Sequence, residues 1–277
     1  MFDVIQIITL AIIGLSAGLA GGLLGVGGSI VMIPALTEMF GPDQHTYQAT
    51  AMIVNFFVVV PAVIQHRRAG AIQTDVVLRI IPLAIVAVIA GVALSETSIF
   101  AGTGEQLLRR IFALFLVAVI AHDFYRMARP VEAKSRSART KNGEQKAKGL
   151  FVPSWNVVAA IAIPTGLMAG LLGVGGGVLA VPLLRRLLGL SIRSAIAHSA
   201  SLIVATSLVG AIAKNFALTS TATSGMQPLV LAALLAPLAI AGSYWGSHLT
   251  HRLPIRLIKG AFLILMMLAA VRLATTS

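Results

Sequence analysis

The sequence predicts an all-α integral membrane protein made of two homologous halves, and three observations carry that prediction. The chain is 57% hydrophobic and only 11% charged, whereas a soluble domain carries roughly 25% charged residues. Its mean hydropathy is +0.93. It also contains many apolar segments near the length of about 20 residues that crosses the hydrocarbon of a bilayer. Finally, twelve of the twenty-four residues from Gly18 to Gly41 recur without a gap 148 positions later. Gly18-Leu19, Gly22-Leu23-Leu24-Gly25-Val26-Gly27-Gly28, Pro34, Leu36 and Gly41 return as Gly166-Leu167, Gly170-Leu171-Leu172-Gly173-Val174-Gly175-Gly176, Pro182, Leu184 and Gly189.

Plain spans are expected at 47–65, 76–94, 107–125, 194–213, 227–247 and 255–273. Residues 1–125 form the first membrane repeat and 154–277 the second. Between them, 126–153 is polar and basic, holding eight of the 21 Lys and Arg residues. Such a run reads as a solvated cytoplasmic linker beside anionic lipid rather than a nucleic-acid surface, in spite of the net charge of +12. The chain has no cysteine, which excludes disulfides, thiolate chemistry and Cys-based metal sites. The opening Met1-Phe2-Asp3-Val4 lacks the basic leader of a signal peptide, so this segment is expected to persist as structure.

The two Gly-broken segments, 3–40 and 155–188, admit two readings. Each could be one long span, giving eight full spans and halves of like orientation. Each could instead be a re-entrant hairpin added to three spans, giving inverted repeats with both termini outside. The distribution of basic residues separates them. With the linker inside, hairpins place Arg185, Arg186 and Arg193, and also His251, Arg252, Arg256 and Lys259, in the cytoplasm; the uncharged stretch 218–225 then faces outward. Eight spans would put both basic clusters outside. Charge favours the hairpins.

The glycines divide into two kinds. Gly14, Gly18 and Gly22, like Gly166 and Gly170, stand four apart, the spacing of closely packed helices. Those spacings serve contacts within a chain or between copies alike, so homo-oligomerisation is left open. The denser clusters Gly25, Gly27, Gly28 and Gly173, Gly175, Gly176, Gly177 exceed what packing requires, since each glycine costs a helix about 1 kcal/mol relative to alanine. They predict a non-helical turn followed by a helix starting near Ser29 or Gly177. Such a helix aims free N–H groups and the positive end of its dipole at the turn, and successive N–H groups in a turn form an anion nest. Paired breaks of this sort near the midplane are the sequence mark of a transporter's binding site.

These residues carry a resemblance to a known family. The doubled GLLGVGG followed by Ser29 or Gly177, with Pro34 and Pro182 each nine residues after the first glycine of the tract, is similar to the TauE/SafE sulfite exporter family; so are the basic mid-loop and the length. The resemblance implies transport of sulfite, organosulfonates or related sulfur oxyanions across the inner (plasma) membrane, with no cofactor and no metal. By position, the implied binding residues are Gly25, Val26, Gly27, Gly28 and Ser29 with Gly173, Val174, Gly175, Gly176 and Gly177. The family commonly has a Thr-Ser pair early in the next helix. Here those positions read Thr50-Ala51 and His198-Ser199, a departure in both copies.

Thr50, Asn55, His198 and Ser199 complete the candidate set. His198 lies in an apolar span with its repeat partner at Thr50, and reads either as bonded to a neighbouring helix or as a residue that pairs with the anion or carries a proton. Asn55 could bond across helices or touch solute. Lys214, Arg79, Arg109 and Arg110 lie near span ends and read as interface anchors, and Tyr244 and Trp245 as an aromatic belt. An enzyme is disfavoured. Gly25-Val26-Gly27-Gly28-Ser29-Ile30 lacks the third glycine of a dinucleotide fingerprint and its strand–turn–helix setting, and no paired carboxylates or metal-ligand spacing is visible. An anion channel, or a carrier for another small anion, is the alternative. The expected partners are therefore a small anion and the lipid bilayer, and no nucleic acid.

Overall fold

The computed structural model describes residues 3–41, 43–100, 104–128, 153–220 and 226–254, with isolated positions from 257 to 271. Regular structure among these residues is helical: α1 Val4–Leu24, α2 Ser29–Phe40, α3 Gln44–Arg68, α4 Thr74–Ser95, a single 3-10 turn Ser98–Phe100, α5 Glu105–Ala128, α6 Trp155–Leu172, α7 Gly177–Leu187, α8 Ile192–Ser220 and α9 Met226–Arg252. The first five expected plain spans fall within α3, α4, α5, α8 and α9. Residues 129–152 of the linker, residues 221–225 and most of the expected span 255–273 lie outside the described residues.

Among the described residues six helices (α1, α3, α4, α6, α8 and α9) are long and apolar enough to cross a membrane. Large apolar side chains such as Ile5, Ile8, Ile12, Val86, Ile89, Ile212 and Phe216 are exposed on them. Surface of this composition suits lipid, not water. Local signals fix the helix starts. Asp3 and Gln6 form a reciprocal capping box at α1, and the Asp43 carboxylate accepts the Thr46 N–H at α3. At the far end of α3, His66, Arg67 and Arg68 meet the negative end of the helix dipole.

Both glycine tracts reverse the chain. Gly25 ends α1 with φ +64°, and Gly173 ends α6 with φ +70°, a left-handed conformation that glycine adopts without steric cost. A Cβ built on Gly28 would lie 3.0 Å from the Ala17 Cβ, and one on Gly176 would lie 2.7 Å from the Thr165 carbonyl oxygen. Eleven residues of continuous helix would separate such positions by about 16 Å. Each segment is therefore a long arm and a short arm folded together, with the short helices starting at Ser29 and Gly177, where the sequence places them.

The four-apart glycines do pack helices. A Cβ on Gly14, Gly18 or Gly22 of α1 would strike the backbone oxygens of Leu235, Ala239 and Ser243 on α9 at 2.0–2.4 Å. A Cβ on Gly166 or Gly170 of α6 would strike those of Ala84 and Val88 on α4 at 2.4 and 2.2 Å. First-half α1 thus lies along second-half α9, and second-half α6 lies along first-half α4. Gly166 and Gly170 are 148 positions after Gly18 and Gly22, while Ala239 and Ser243 are 155 positions after Ala84 and Val88. Four residues of the seven-residue difference lie in α8, which runs for 29 residues against 25 in α3.

The two central helices, α3 and α8, run antiparallel. His45, at the start of α3, is 3.3 Å from the Lys214 ammonium late in α8. At the other end, Ser194 near the start of α8 donates to the Ala71 carbonyl just after α3. Around this pair, buried Val26, Ile30, Val54, Val58, Val174, Val178, Ile196 and Ile203 join one apolar core.

Candidate functional site

The turns of the two hairpins touch. A Cβ on Gly177 would lie 2.5 Å from the Val26 Cα and 2.8 Å from the Gly25 carbonyl oxygen, so only glycine fits there. Gly25 backs onto Ile196, and Gly173 backs onto Gln48. Ile196 and Gln48 are themselves 148 positions apart, so the two contacts are one contact made twice. Val26 and Val174 bury their side chains in the core, which leaves their main chain as what they can offer.

The start of each short helix leaves N–H groups with no carbonyl of their own helix to bond: Ser29 and Ile30 in α2, and Gly177, Val178 and Leu179 in α7. Gly28 has found a partner, donating its N–H to the Asn55 Oδ1 at 2.6 Å. Asn55 is fully buried, and its Nδ2 has no hydrogen-bond partner. That nitrogen is 3.3 Å from where a Cβ on Gly175 would stand, so one side chain reaches both tracts.

Ser199 joins the set by donating to the Gly25 carbonyl at 2.7 Å. Ser29 is fully buried with an unpartnered hydroxyl. Four further side chains belong here that the sequence reading missed. Thr206 donates to the Gly175 carbonyl at 2.9 Å. The Ser207 Oγ is 2.9 Å from the Cβ position of Gly175, and Thr165 lies against Gly176. The Gln48 side chain rests on Gly173. Ser207, Thr165 and Gln48 keep buried polar atoms without partners. A signal was present: Gln48 and Asn55 are seven apart, as are Ser199 and Thr206, which puts each pair on one helix face. Buried polar groups are normally bonded, so such a group of orphans asks for an explanation, an absent ligand among them.

The other two candidates, Thr50 and His198, meet main-chain groups of the other half. His198 accepts the Gln73 N–H on Nε2 at 3.1 Å and approaches the Ser194 carbonyl with Nδ1 at 2.7 Å. These bonds fix the tautomer with the proton on Nδ1 and engage both nitrogens. Thr50 donates to the Thr46 carbonyl at 2.9 Å and lies 3.5 Å from the Pro228 carbonyl. Pro228 is 155 positions after Gln73. Thr50 and His198 therefore make one contact in two copies, each tying a central helix to the start of a long helix of the other half.

Lys214 is not an interface anchor. It is fully buried, and its ammonium donates to the Glu96 carboxylate at 2.9 Å and to the Ser95 hydroxyl at 2.8 Å. His45 bonds the same carboxylate oxygen at 3.2 Å and the Phe100 carbonyl at 3.1 Å. Burial pushes the Glu96 carboxyl up, but the His45 hydrogen bond and the Lys214 charge outweigh it and hold its pKa at about 2. Arg109 is also buried, at 5% exposure, unlike an anchor at the lipid surface. Arg79 lies in the second turn of α4, over the Trp155 ring, and Tyr244 and Trp245 are exposed on α9 beside Ser243, whose hydroxyl donates to the Val58 carbonyl well inside α3.

The description "Sulfite exporter TauE/SafE" belongs to a family model that matches residues 10–273. The chain is 27% identical over 99% of its length to the probable membrane transporter protein MamO of Paramagnetospirillum magneticum. It is 25% identical over 99% to the MamO of Magnetospirillum gryphiswaldense. A probable membrane transporter protein of Methanocaldococcus jannaschii is 26% identical over 73% of the chain and 70% of its own length. The chain spans about half the length of the two MamO relatives, 45% and 46%. No solved structure matches it. With the glycine-broken hairpins, the long apolar helices and a family match over nearly the whole chain, this is a multi-pass membrane protein that belongs to the TauE/SafE sulfite exporter family.

Proposed function

We propose that the protein carries a small sulfur oxyanion, sulfite or an organosulfonate, across the cell's inner membrane, held by main-chain amides of the two glycine tracts. The observation that carries this reading is the meeting of two short-helix N-termini at a buried, uncharged cluster: Ser29, Gln48, Asn55, Thr165 and Ser207 hold polar atoms with no partner. Main-chain donors and neutral side chains can bind an anion without a buried arginine, which would be expensive to desolvate and slow to release its ligand.

The topology proposed with it is the inverted repeat, each half a re-entrant hairpin and three spans. Several features support it. Asn55 and Thr206, which bond the two tracts, lie near the middle of α3 and α8, so the tracts fall near mid-membrane. The antiparallel central helices and the paired α1–α9 and α6–α4 contacts are what a two-fold axis in the membrane plane would generate. The Lys214–Glu96 ion pair puts residue 214 at the end of the bundle that holds Glu96; the charge rule assigns that end to the outside with hairpins, and eight full spans would separate the two residues.

The test is a thermal-shift screen on purified protein with sulfite, thiosulfate, sulfoacetate, taurine, sulfate and chloride. A ligand at about 100 times its Kd stabilises the folded state by about 2.7 kcal/mol. Sulfite or a sulfonate should raise the melting temperature well above the chloride control. Equal responses to every salt would refute the reading.

A further inference from the structure

The start of α2 already holds an oxygen, and it belongs to Asn55. We propose that Asn55 is a built-in stand-in for the transported anion: its carbonyl oxygen occupies the α2 N-terminus while the site is empty and is displaced when an oxyanion binds. The inference rests on the proposed anion site and adds a residue that sets its affinity.

Four observations support it. The Gly28 N–H to Asn55 Oδ1 distance, 2.6 Å, is short for an amide donor. A Cβ on Gly27 would stand 2.8 Å from the same oxygen, so the backbone is bare where Asn55 enters. The amide is bonded at one end only, because the fully buried Nδ2 facing the Gly175 side has no partner. An asparagine kept purely as a strut would be expected to satisfy both ends, since an orphaned buried donor is destabilising. Lastly, the repeat counterpart of Asn55 is Ile203, which has no polar atom to offer. The α7 N-terminus thus has no matching stand-in, and the neighbouring Ser207 hydroxyl is unpartnered. An arriving oxyanion would take the Gly28 N–H in place of Oδ1, and the freed side chain would swing aside. The site is never left with a bare helix N-terminus, and the anion competes with a tethered neutral oxygen.

Two variants test this, each titrated by thermal shift with sulfite and with sulfate. Asn55→Asp keeps the shape and, titrated at alkaline pH, tethers a carboxylate at the α2 N-terminus that competes with the anion for the Gly28 N–H. It should need at least about tenfold more anion for the same temperature shift, a coupling of about 1.4 kcal/mol. Asn55→Ala removes the competitor and should respond at a lower anion concentration than the parent protein, even if its basal melting temperature is lower. An Asn55→Asp titration that overlays the parent, or an Asn55→Ala response that is unchanged, weaker or absent, overturns the proposal. If Asn55→Asp does not fold, the Asn55→Ala titration decides alone. A parent protein that responds to neither anion refutes the anion site and this inference together, whereas failure confined to the variants refutes only the role of Asn55.

Discussion

At the scale of single residues, Glu96 and Lys214 are unequal partners. Lys214 is fully buried, while the Glu96 side chain keeps 24% of its surface exposed. Removing Glu96 strands a buried ammonium, and removing Lys214 leaves a carboxylate that still has His45 and some solvent. Breaking a buried pair from one side costs about 3–5 kcal/mol. Glu96→Gln should approach that cost and Lys214→Met should fall clearly below it, as read by thermal unfolding in detergent. The pair also sets a pH dependence. The Glu96 pKa of about 2 in the folded protein lies below its ordinary value of 4.5. Its stabilisation is therefore complete above the ordinary value and disappears as pH falls toward 2. Between pH 5 and pH 3 the melting temperature of the parent should fall more steeply than that of Glu96→Gln; parallel curves would contradict the assignment. His198→Leu should cost about 1–3 kcal/mol, because the Gln73 N–H loses its acceptor. Its anion-induced shift should match the parent's, since both ring nitrogens are already bonded to main chain.

At the scale of elements, the turn chemistry decides what each segment becomes. Dense glycine announced a break, and the breaks occur there, with α2 and α7 starting at Ser29 and Gly177. The long helices were legible from hydropathy because lipid demands about 20 apolar residues whatever the partners. Side-chain partnership was less legible. Lys214 read as an interface anchor because its acceptor, Glu96, lies 118 positions away. For His198 the sequence left two readings open, because the main-chain donor that bonds it, at Gln73, lies 125 positions away. Gln48 and Ser207 went unmarked, since only the folded chain sets Gln48 against Gly173 of the other half and Ser207 against Gly175 from a separate helix. The tight α1–α9 seam gives a separate test. Gly18→Val would drive a branched side chain into the Ala239 carbonyl, 2.0 Å from the Cβ position. Helix backbones cannot yield by that much, and overpacking of this kind costs about 1–3 kcal/mol or more. Gly41→Val, with nothing within 4 Å of its Cβ position, would bring only the strain of its φ of +85°. Its melting temperature should fall less than that of Gly18→Val.

At the scale of the whole molecule, the exchange of long arms carries a consequence for assembly. Helix α1 finds its closest partner in α9, and α6 finds its own in α4, so each half completes its packing with a helix of the other. Two polypeptides divided within the basic linker would each present an unfilled glycine groove to lipid, and neither should accumulate when produced alone. Produced together, they should clasp one another and co-purify through detergent as a nicked but intact particle, with no covalent tie between the pieces.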